Sequence, residues 1–222
     1  MTARPFLKWA GGKSKLVGLI ISSMTNHMPL NTDWTVSEGQ TYHEPFVGSA
    51  SVFLGLRDAG VIKEGASAFL SDINPVLVQT LKAVQDEEDI ELVIQKLAEM
   101  ESEFGERGAD YYYSKRDAMN RGVSSDSDEH RAEIAARMIF INKTCFNGLW
   151  RVNSKGEFNV PIGRPSNGAK RAILQEDRLR SFNTSSRGVT LGVCDWRESM
   201  SRVGEGDLVY VDPPYLPLAD GE

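Results

Sequence analysis

Hydrophobic and polar positions along this chain follow two rhythms that alternate. Short apolar stretches bounded by turn-forming residues occur at Tyr42–Val47, Ala68–Asp72, Val189–Asp195 and Leu208–Val211, and each reads as a buried strand. Between them the period is helical. Leu16, Leu19, Ile20 and Met24 fall on one face of an amphipathic helix. From about Val76 to Arg121 the spacing predicts helix, with Ile90, Val93, Ile94, Leu97 and Ala98 on one side. The other side carries Glu87, Glu88, Glu91, Glu99 and Glu103, a solvated face. Tyr111, Tyr112 and Tyr113 open a further helical stretch and read as core packing rather than as a platform for bases. A polar loop, Gly122–Asp128, precedes a helix from about Glu129 through Ile134, Met138, Ile139 and Ile141 to Asn142-Lys143. Two short strands, Trp150–Asn153 and Glu157–Val160, join at Ser154-Lys155-Gly156 as a hairpin. Pro161–Ala169 is a turn-rich connector, and Trp196–Met200 a short helix. Strands interleaved with helices predict the α/β class.

The 222 residues fit one domain with an inserted lobe or two small domains, and 41% hydrophobic with 25% charged residues is ordinary for a soluble globular protein. No apolar run reaches the roughly 18 residues of a membrane span, and the amino terminus lacks the apolar core of a signal peptide. Cys145 and Cys194 match neither metal-site spacing nor a disulfide framework. A cytoplasmic protein without a metal site and without a membrane partner is the expectation. The net charge of −6 argues against wholesale nucleic-acid binding. From Lys143 to Arg171, however, six basic residues face one acid, Glu157. A basic lobe on an acidic body suits a protein that meets phosphate with one surface only.

Three stretches carry candidate chemistry. Phe6-Leu7-Lys8-Trp9-Ala10-Gly11-Gly12-Lys13-Ser14 ends like a P-loop, but that motif needs glycine at position 7, where Leu7 stands. Its glycine pair still makes a tight turn able to pass close to a ligand, with Trp9 and Lys13 beside it. Gly48-Ser49-Ala50 is a degenerate dinucleotide-type turn after a strand. Asp72 ends the next strand 24 residues later, near the separation at which an acid takes a ribose diol; a helix N-cap before Asn74-Pro75 is the competing role. Asp212-Pro213-Pro214-Tyr215 closes the Leu208–Val211 strand in a stiff turn, since proline fixes φ and lacks a donor. That turn holds an acid, a carbonyl and an aromatic ring together at a strand's carboxyl end, where open α/β sheets bind ligands.

Taken in order, FLKWAGGK (6–13), EPFVGSASVF (44–53), LSDIN (70–74), KTCFNGLWRVNSKGEFNVP (143–161) and DPPY (212–215) resemble the Dam-type DNA adenine-N6 methyltransferases. The resemblance implies a class I, Rossmann-like S-adenosylmethionine-dependent methyltransferase fold with an inserted helical and β-hairpin DNA-recognition lobe. It divides the chain into a catalytic domain, 1–85 with 171–222, and an inserted lobe, 86–170. By position it implies that Trp9, Lys13, Gly48, Asp72 and Asp212 contact S-adenosylmethionine. Asp212, Pro213 and Tyr215 would be catalytic, and Arg151, Leu149, Asn153, Lys143 and Lys155 would meet double-stranded DNA, with GATC as the implied site. The chemistry fits. An adenine amine has its lone pair delocalised into the ring, and two acceptors, the Asp212 side chain and the Pro213 carbonyl, can draw it toward a pyramidal, nucleophilic geometry. Tyr215 offers a stacking face for a base extruded from the duplex. Serine in place of Asp212 would point to cytosine N4. A cytosine-C5 enzyme would need a nucleophilic cysteine after proline, whereas Cys145 follows Thr144 and Cys194 follows Val193.

Such a fold continues with further strands beyond DPPY, so Glu222 reads as the end of a truncated or split chain, with Leu208–Val211 left as an exposed apolar edge. A monomer, or a chain complemented by a C-terminal partner, is expected. A non-catalytic remnant that binds DNA or a partner through the hairpin is the second reading. A small-molecule or protein-glutamine methyltransferase is a third, and the basic hairpin weighs against it.

Overall fold

Among the described residues, four parallel strands and the helices between them make up the frame. The computed structural model describes residues 3–26, 35–121, 131–164 and 172–214. In chain order these are α1 (Val17–Asn26), β1 (Thr41–Glu44), α2 (Ser51–Asp58), β2 (Ser67–Asp72), α3 (Pro75–Gln85), α4 (Asp89–Asn120), α5 (Arg131–Thr144), α6 (Glu176–Ser185), β3 (Val189–Val193), α7 (Trp196–Met200) and β4 (Leu208–Val209). The sheet order is β3-β2-β1-β4. Tyr42 stands opposite Ala68 and Leu208, and Ala68 opposite Val189. The chain therefore starts the sheet in its interior, adds two strands on one side and returns to the other. The reversal lies between β1 and β4, and a crevice outside the strands' carboxyl ends at such a point is where ligands bind.

Burial explains the strands. β2 is interior and runs apolar from Ala68 to Leu70, as a strand covered on both faces must. Tyr42, Phe53, Leu54, Leu70, Leu77 and Leu81 are fully buried around it. α5 is buried nearly all round, from Ala132 through Thr144, and packs against both α3 and α4. Buried side chains of 86–121 and 131–164 thus belong to the same continuous cluster as those of the sheet.

Several expectations change. α1 starts at Val17; of the expected face, Ile20 and Met24 pack against the core, joined by Ile21, while Leu16 and Leu19 are 45% and 68% exposed. The rotation follows from Gly55 on α2, where a β-carbon would lie 2.2 Å from Val17 Cγ1, so α1 seats Val17 there. The long helix is two. The Asp86 carboxylate accepts from the Glu88 and Asp89 N–H groups at 3.0 Å each and starts α4 afresh. Gly108, at φ 54° and ψ −126°, interrupts α4 once more. Tyr111 and Tyr112 pack in the core, and the Tyr112 hydroxyl donates to the Val160 carbonyl at 2.8 Å. α6 has only Leu179, Phe182 and Asn183 buried, too sparse an apolar stripe to read from sequence. The hairpin is narrower than predicted, with one bridge, Val152 to Phe158, flanked by Asn153 N–H to Glu157 O at 2.9 Å and Asn159 N–H to Arg151 O at 3.1 Å. β4 pairs with β1 as far as Tyr210, whose N–H donates to His43 O at 2.9 Å, and Val211 is 50% exposed beyond it. The Gly122–Asp128 loop, the Glu129 helix start and most of the Pro161–Ala169 connector lie outside the described residues. Among the described residues no helix is long and apolar enough to cross a membrane.

Candidate active site

The site begins where β1 ends. Val47 N–H donates to Ser71 O at 2.9 Å, so the loop after β1 leans on β2 before α2 starts. The loop then turns through two left-handed residues, Gly48 at φ 48° and Ala50 at φ 57°. For alanine that conformation costs about 1 kcal/mol, and the surrounding burial of Ala50 holds it. Gly48 is required twice over. A β-carbon there would lie 2.7 Å from Trp9 Cδ1, so the Trp9 ring covers the turn only because glycine is beneath it. The Gly48 N–H donates to Asp72 Oδ2 at 3.2 Å, and the Asn74 N–H donates to Asp72 Oδ1 at 3.0 Å. Asp72 therefore straps the two βα turns together, and the N-cap of α3 is Asn74, which accepts from Val76 and Leu77 N–H.

The amino-terminal loop closes the site from above. Gly12 N–H donates to Trp9 O at 3.0 Å and Lys13 N–H to Ser51 Oγ at 3.1 Å, which fixes the loop against the start of α2. Lys13 Nζ donates to Gly11 O at 2.9 Å and forms an ion pair with Asp212. Residues 199 apart in sequence thus meet across the mouth of the site. Trp9, Lys13, Glu44, Gly48, Asp72 and Asp212 line one cavity of about 250 Å³, together with Phe46, Ile73, Tyr210 and Pro214. It sits at the carboxyl ends of β1, β2 and β4, at the reversal in strand order.

Three acids share this cavity. Burial pushes the Glu44 carboxyl from its ordinary 4.5 up to about 8, against the stabilising bonds from the Tyr42 hydroxyl at 2.7 Å and the Phe53 N–H at 3.1 Å. Burial also raises Asp72, partly offset by its backbone N–H donors. Asp212 is held by Lys13.

The residues expected to meet DNA are placed less uniformly. Arg151 and Lys155 are exposed on the hairpin, with Arg151 Nε on Asn159 Oδ1 at 2.8 Å. Asn153 is used inside the turn: its Oδ1 accepts from Lys155 and Glu157 N–H at 2.9 and 3.0 Å, and its Nδ2 donates to Glu157 Oε2 at 2.9 Å. It shapes the hairpin tip instead of offering a base-reading edge. Leu149 is half-buried and packs on the core. Lys143 requires correction. It lies on α5, 6% exposed, with Nζ on Gln175 Oε1 at 2.7 Å, and burial lowers it to about 7. A buried amine on the core helix is not a phosphate contact in this structure. Pro213 is described but does not line the cavity, whereas Pro214 does; Tyr215 lies outside the described residues.

Sequence reasoning gave no role to Glu44, Ile73 or Tyr210. Glu44 and Ile73 stood inside motifs already singled out, each at the carboxyl end of a strand, and that position was the available signal. Asn142 was passed over as a helix end. Its amide clamps two loops, with Lys8 N–H on Oδ1 at 2.8 Å and Nδ2 on Lys8 O at 2.6 Å and Gly148 O at 3.3 Å.

A parallel sheet with an acid-lined, aromatic-rimmed cavity at its switch point defines an α/β protein with a ligand site at the strands' carboxyl ends. The sequence comparisons narrow that class. Residues 9–222 match the family model described as D12 class N6 adenine-specific DNA methyltransferase. The chain is 37% identical over 224 residues to the type II methyltransferase M.MjaIII of Methanocaldococcus jannaschii, covering 98% of this chain and 71% of that protein. It is 35% identical to the DNA adenine methylase of Serratia marcescens (97% and 68% covered) and 32% identical to that of Escherichia coli strain K12 (97% and 66%). The chain belongs to the D12 class of N6 adenine-specific DNA methyltransferases.

Proposed function

We propose that this chain transfers the methyl group of S-adenosylmethionine to the N6 amine of adenine in duplex DNA, at GATC, with the target base flipped out of the helix. The observation that carries the reading is the meeting of Asp212 with the cavity formed by Trp9, Gly48 and Asp72: an acceptor for an amine stands at the mouth of a nucleoside-sized pocket.

The residues present fit the methyl donor. Glu44, Asp72 and Asp212 outnumber the one lysine lining the cavity, which suits a ligand bearing cationic groups. Asp72, anchored at the end of β2, would accept from a ribose diol with the lone pairs that its two backbone N–H donors leave. Ile73 and Phe46 give apolar walls for a purine, and the missing side chain at Gly48 leaves room for Trp9 to close over it. When bound, the donor supplies an electrophilic methyl on sulfonium. All else falls to the chain. Lys13 holds the Asp212 carboxylate in one orientation. Asp212 accepts a hydrogen bond from the incoming amine, and the stiff Pro213-Pro214 backbone keeps that acceptor from swinging away. The carboxylate thereby favours the pyramidal amine of the transition state over the planar one. Flipping the base costs a few kcal/mol, and the exposed Arg151 and Lys155 offer contacts to the duplex that offset it.

The test is transfer of tritium from S-adenosyl-[methyl-³H]methionine to an unmethylated GATC duplex, with a premethylated duplex and a GATC-free duplex as controls. Label is expected only in the first. Asp212→Ala, which removes the acceptor, should lower the rate by about 10² to 10³, the scale for loss of one transition-state contact. A folded chain that binds duplex and never transfers label would be a DNA-binding protein only, and the proposal would fall.

A further inference from the structure

Beyond the cavity and the hairpin, the structure holds a joint between them that neither site explains. Asn142, at the end of the buried α5, is 3% exposed and spends its whole amide on backbone. Its Oδ1 and Nδ2 take both the N–H (2.8 Å) and the C=O (2.6 Å) of Lys8, as a neighbouring strand would. The same Nδ2 also donates to Gly148 O at 3.3 Å, at the base of the hairpin. Gly148 is left-handed at φ 66°, and a β-carbon there would lie 2.5 Å from Lys8 Cβ, so the two backbones touch because no side chain intervenes. One residue beyond Lys8 and two beyond Gly148, the Trp9 and Trp150 rings stack at 6.2 Å with planes 24° apart, and Trp150 leans on Phe158 at 5.3 Å. Phe158 is in turn clamped by a second amide: its N–H donates to Asn120 Oδ1 at 2.8 Å, and its C=O accepts from Asn120 Nδ2 at 2.9 Å. The hairpin is thus tied to α4 and α5 at this point, and through the indole stack it touches Trp9, which lines the cavity.

We propose that Asn142 is a positioning residue that makes the hairpin base and the cavity rim one mechanical unit, so that a duplex on the hairpin and an adenosyl ligand in the cavity strengthen each other's binding. The inference rests on the functional reading above. Coupling of this kind is a difference in affinity between two states and is reciprocal. The path is short: Gly148 and Trp150 on the duplex side, Lys8 and Trp9 on the ligand side, with the Asn142 amide bridging the first pair and the indole stack the second. An isolated weakening of either site would not distinguish this role from ordinary packing. The ratio of affinities does.

The experiment measures, by calorimetry, the affinity of the full chain for S-adenosylhomocysteine with and without a saturating GATC duplex, and for the duplex with and without S-adenosylhomocysteine. The expected ratio is at least about fivefold in both directions, the lower end of typical coupling. Asn142→Asp keeps the shape and the acceptor for Lys8 N–H but turns lone pairs toward Lys8 O and Gly148 O. Trp150→Leu keeps the apolar packing and removes the stack. Each should bring the ratio to about one. A structural defect alone would lower both affinities and leave their ratio unchanged. If Asn142→Asp does not fold, Trp150→Leu decides. A parent that binds both ligands with a ratio of one, or a folded variant that keeps the parent's ratio, overturns the latch while the functional reading stands. A folded parent that binds neither ligand overturns both.

Discussion

Glu44→Gln should change how stability depends on pH more than any other single substitution in the cavity. Glu44 is 2% exposed, and burial raises its carboxyl from 4.5 to about 8. Between those values the unfolded chain has lost this proton and the folded chain has kept it, so the folded state binds more protons. Stability then falls as pH rises through that window and levels off above about pH 8. Each pKa unit is worth about 1.4 kcal/mol, so a rise from 4.5 to about 8 amounts to about 5 kcal/mol between pH 4 and pH 9. Glutamine is the neutral acid's near-isostere: its carbonyl can accept the Tyr42 hydroxyl and Phe53 N–H bonds that Glu44 Oε2 accepts at 2.7 and 3.1 Å. It removes the titration and leaves the packing. Urea unfolding of parent and variant at half-unit intervals from pH 4 to pH 9 gives two curves whose difference isolates this group. The curves should lie close at pH 4, and the variant should be more stable by several kcal/mol at pH 9. Parallel curves would refute the reasoning, because they would mean that Glu44 titrates alike folded and unfolded.

Gly48→Ala should leave the fold intact and weaken S-adenosylhomocysteine binding by tenfold or more, about 1.4 kcal/mol, because its β-carbon would lie 2.7 Å from Trp9 Cδ1 and because φ is 48°; calorimetry reads it. Arg151→Ala should shift the unfolding free energy by less than about 0.5 kcal/mol, since the side chain is exposed, while duplex affinity falls and its salt dependence or base preference at one position relaxes. Lys143→Met should leave duplex affinity unchanged. The parent's Lys143 is lowered to about 7, so below that pH it is charged in both states and destabilising. Stability from this group rises between about pH 7 and 10.5 as the folded state sheds its proton first, and the variant should be the more stable at pH 6, by thermal unfolding.

What the sequence revealed and what it hid divide along a physical line. Local chemistry was legible. Glycines at 11, 12 and 48, an acid at the end of β2 and two prolines after β4 each demand a particular backbone, and the structure assembles Trp9, Lys13, Gly48, Asp72 and Asp212 around one cavity. Relations between distant elements were not legible. Nothing local says that Lys13 pairs with Asp212, or that Asn142 grips Lys8. Residue type alone also misled where burial inverted it. Lys143 read as a phosphate contact because it opened a basic stretch, yet every residue of α5 from Ala135 to Thr144 is buried, Lys143 included. Asn153 read as a base reader because amides can be one, yet its amide is consumed by the turn. Leu19 read as core because period places it there, whereas Gly55 and Val17 fix the rotation of α1.

The cavity's three acids are tolerated in three different ways, and the difference bears on what the cavity binds. Glu44 stays neutral by keeping its proton, Asp72 is met by two backbone N–H groups, and Asp212 is met by the Lys13 ammonium. Asp212 also raises Glu44, so the acids repel across the cavity and are not independent. Burial, together with the like charge that ionising it would add beside Asp212, is why Glu44 keeps its proton. An anionic ligand would add to the repulsion. A neutral one would leave it. Only a ligand that carries positive charge turns all three acids to account, by drawing a proton off Glu44, sharing Asp212 with Lys13 and using Asp72 at its polar end. The side chains proposed to meet the duplex, Arg151 and Lys155, are exposed on the hairpin and do not line the cavity. The proposed reaction needs that separation, a cationic donor inside an acidic cavity and a polyanion held outside it.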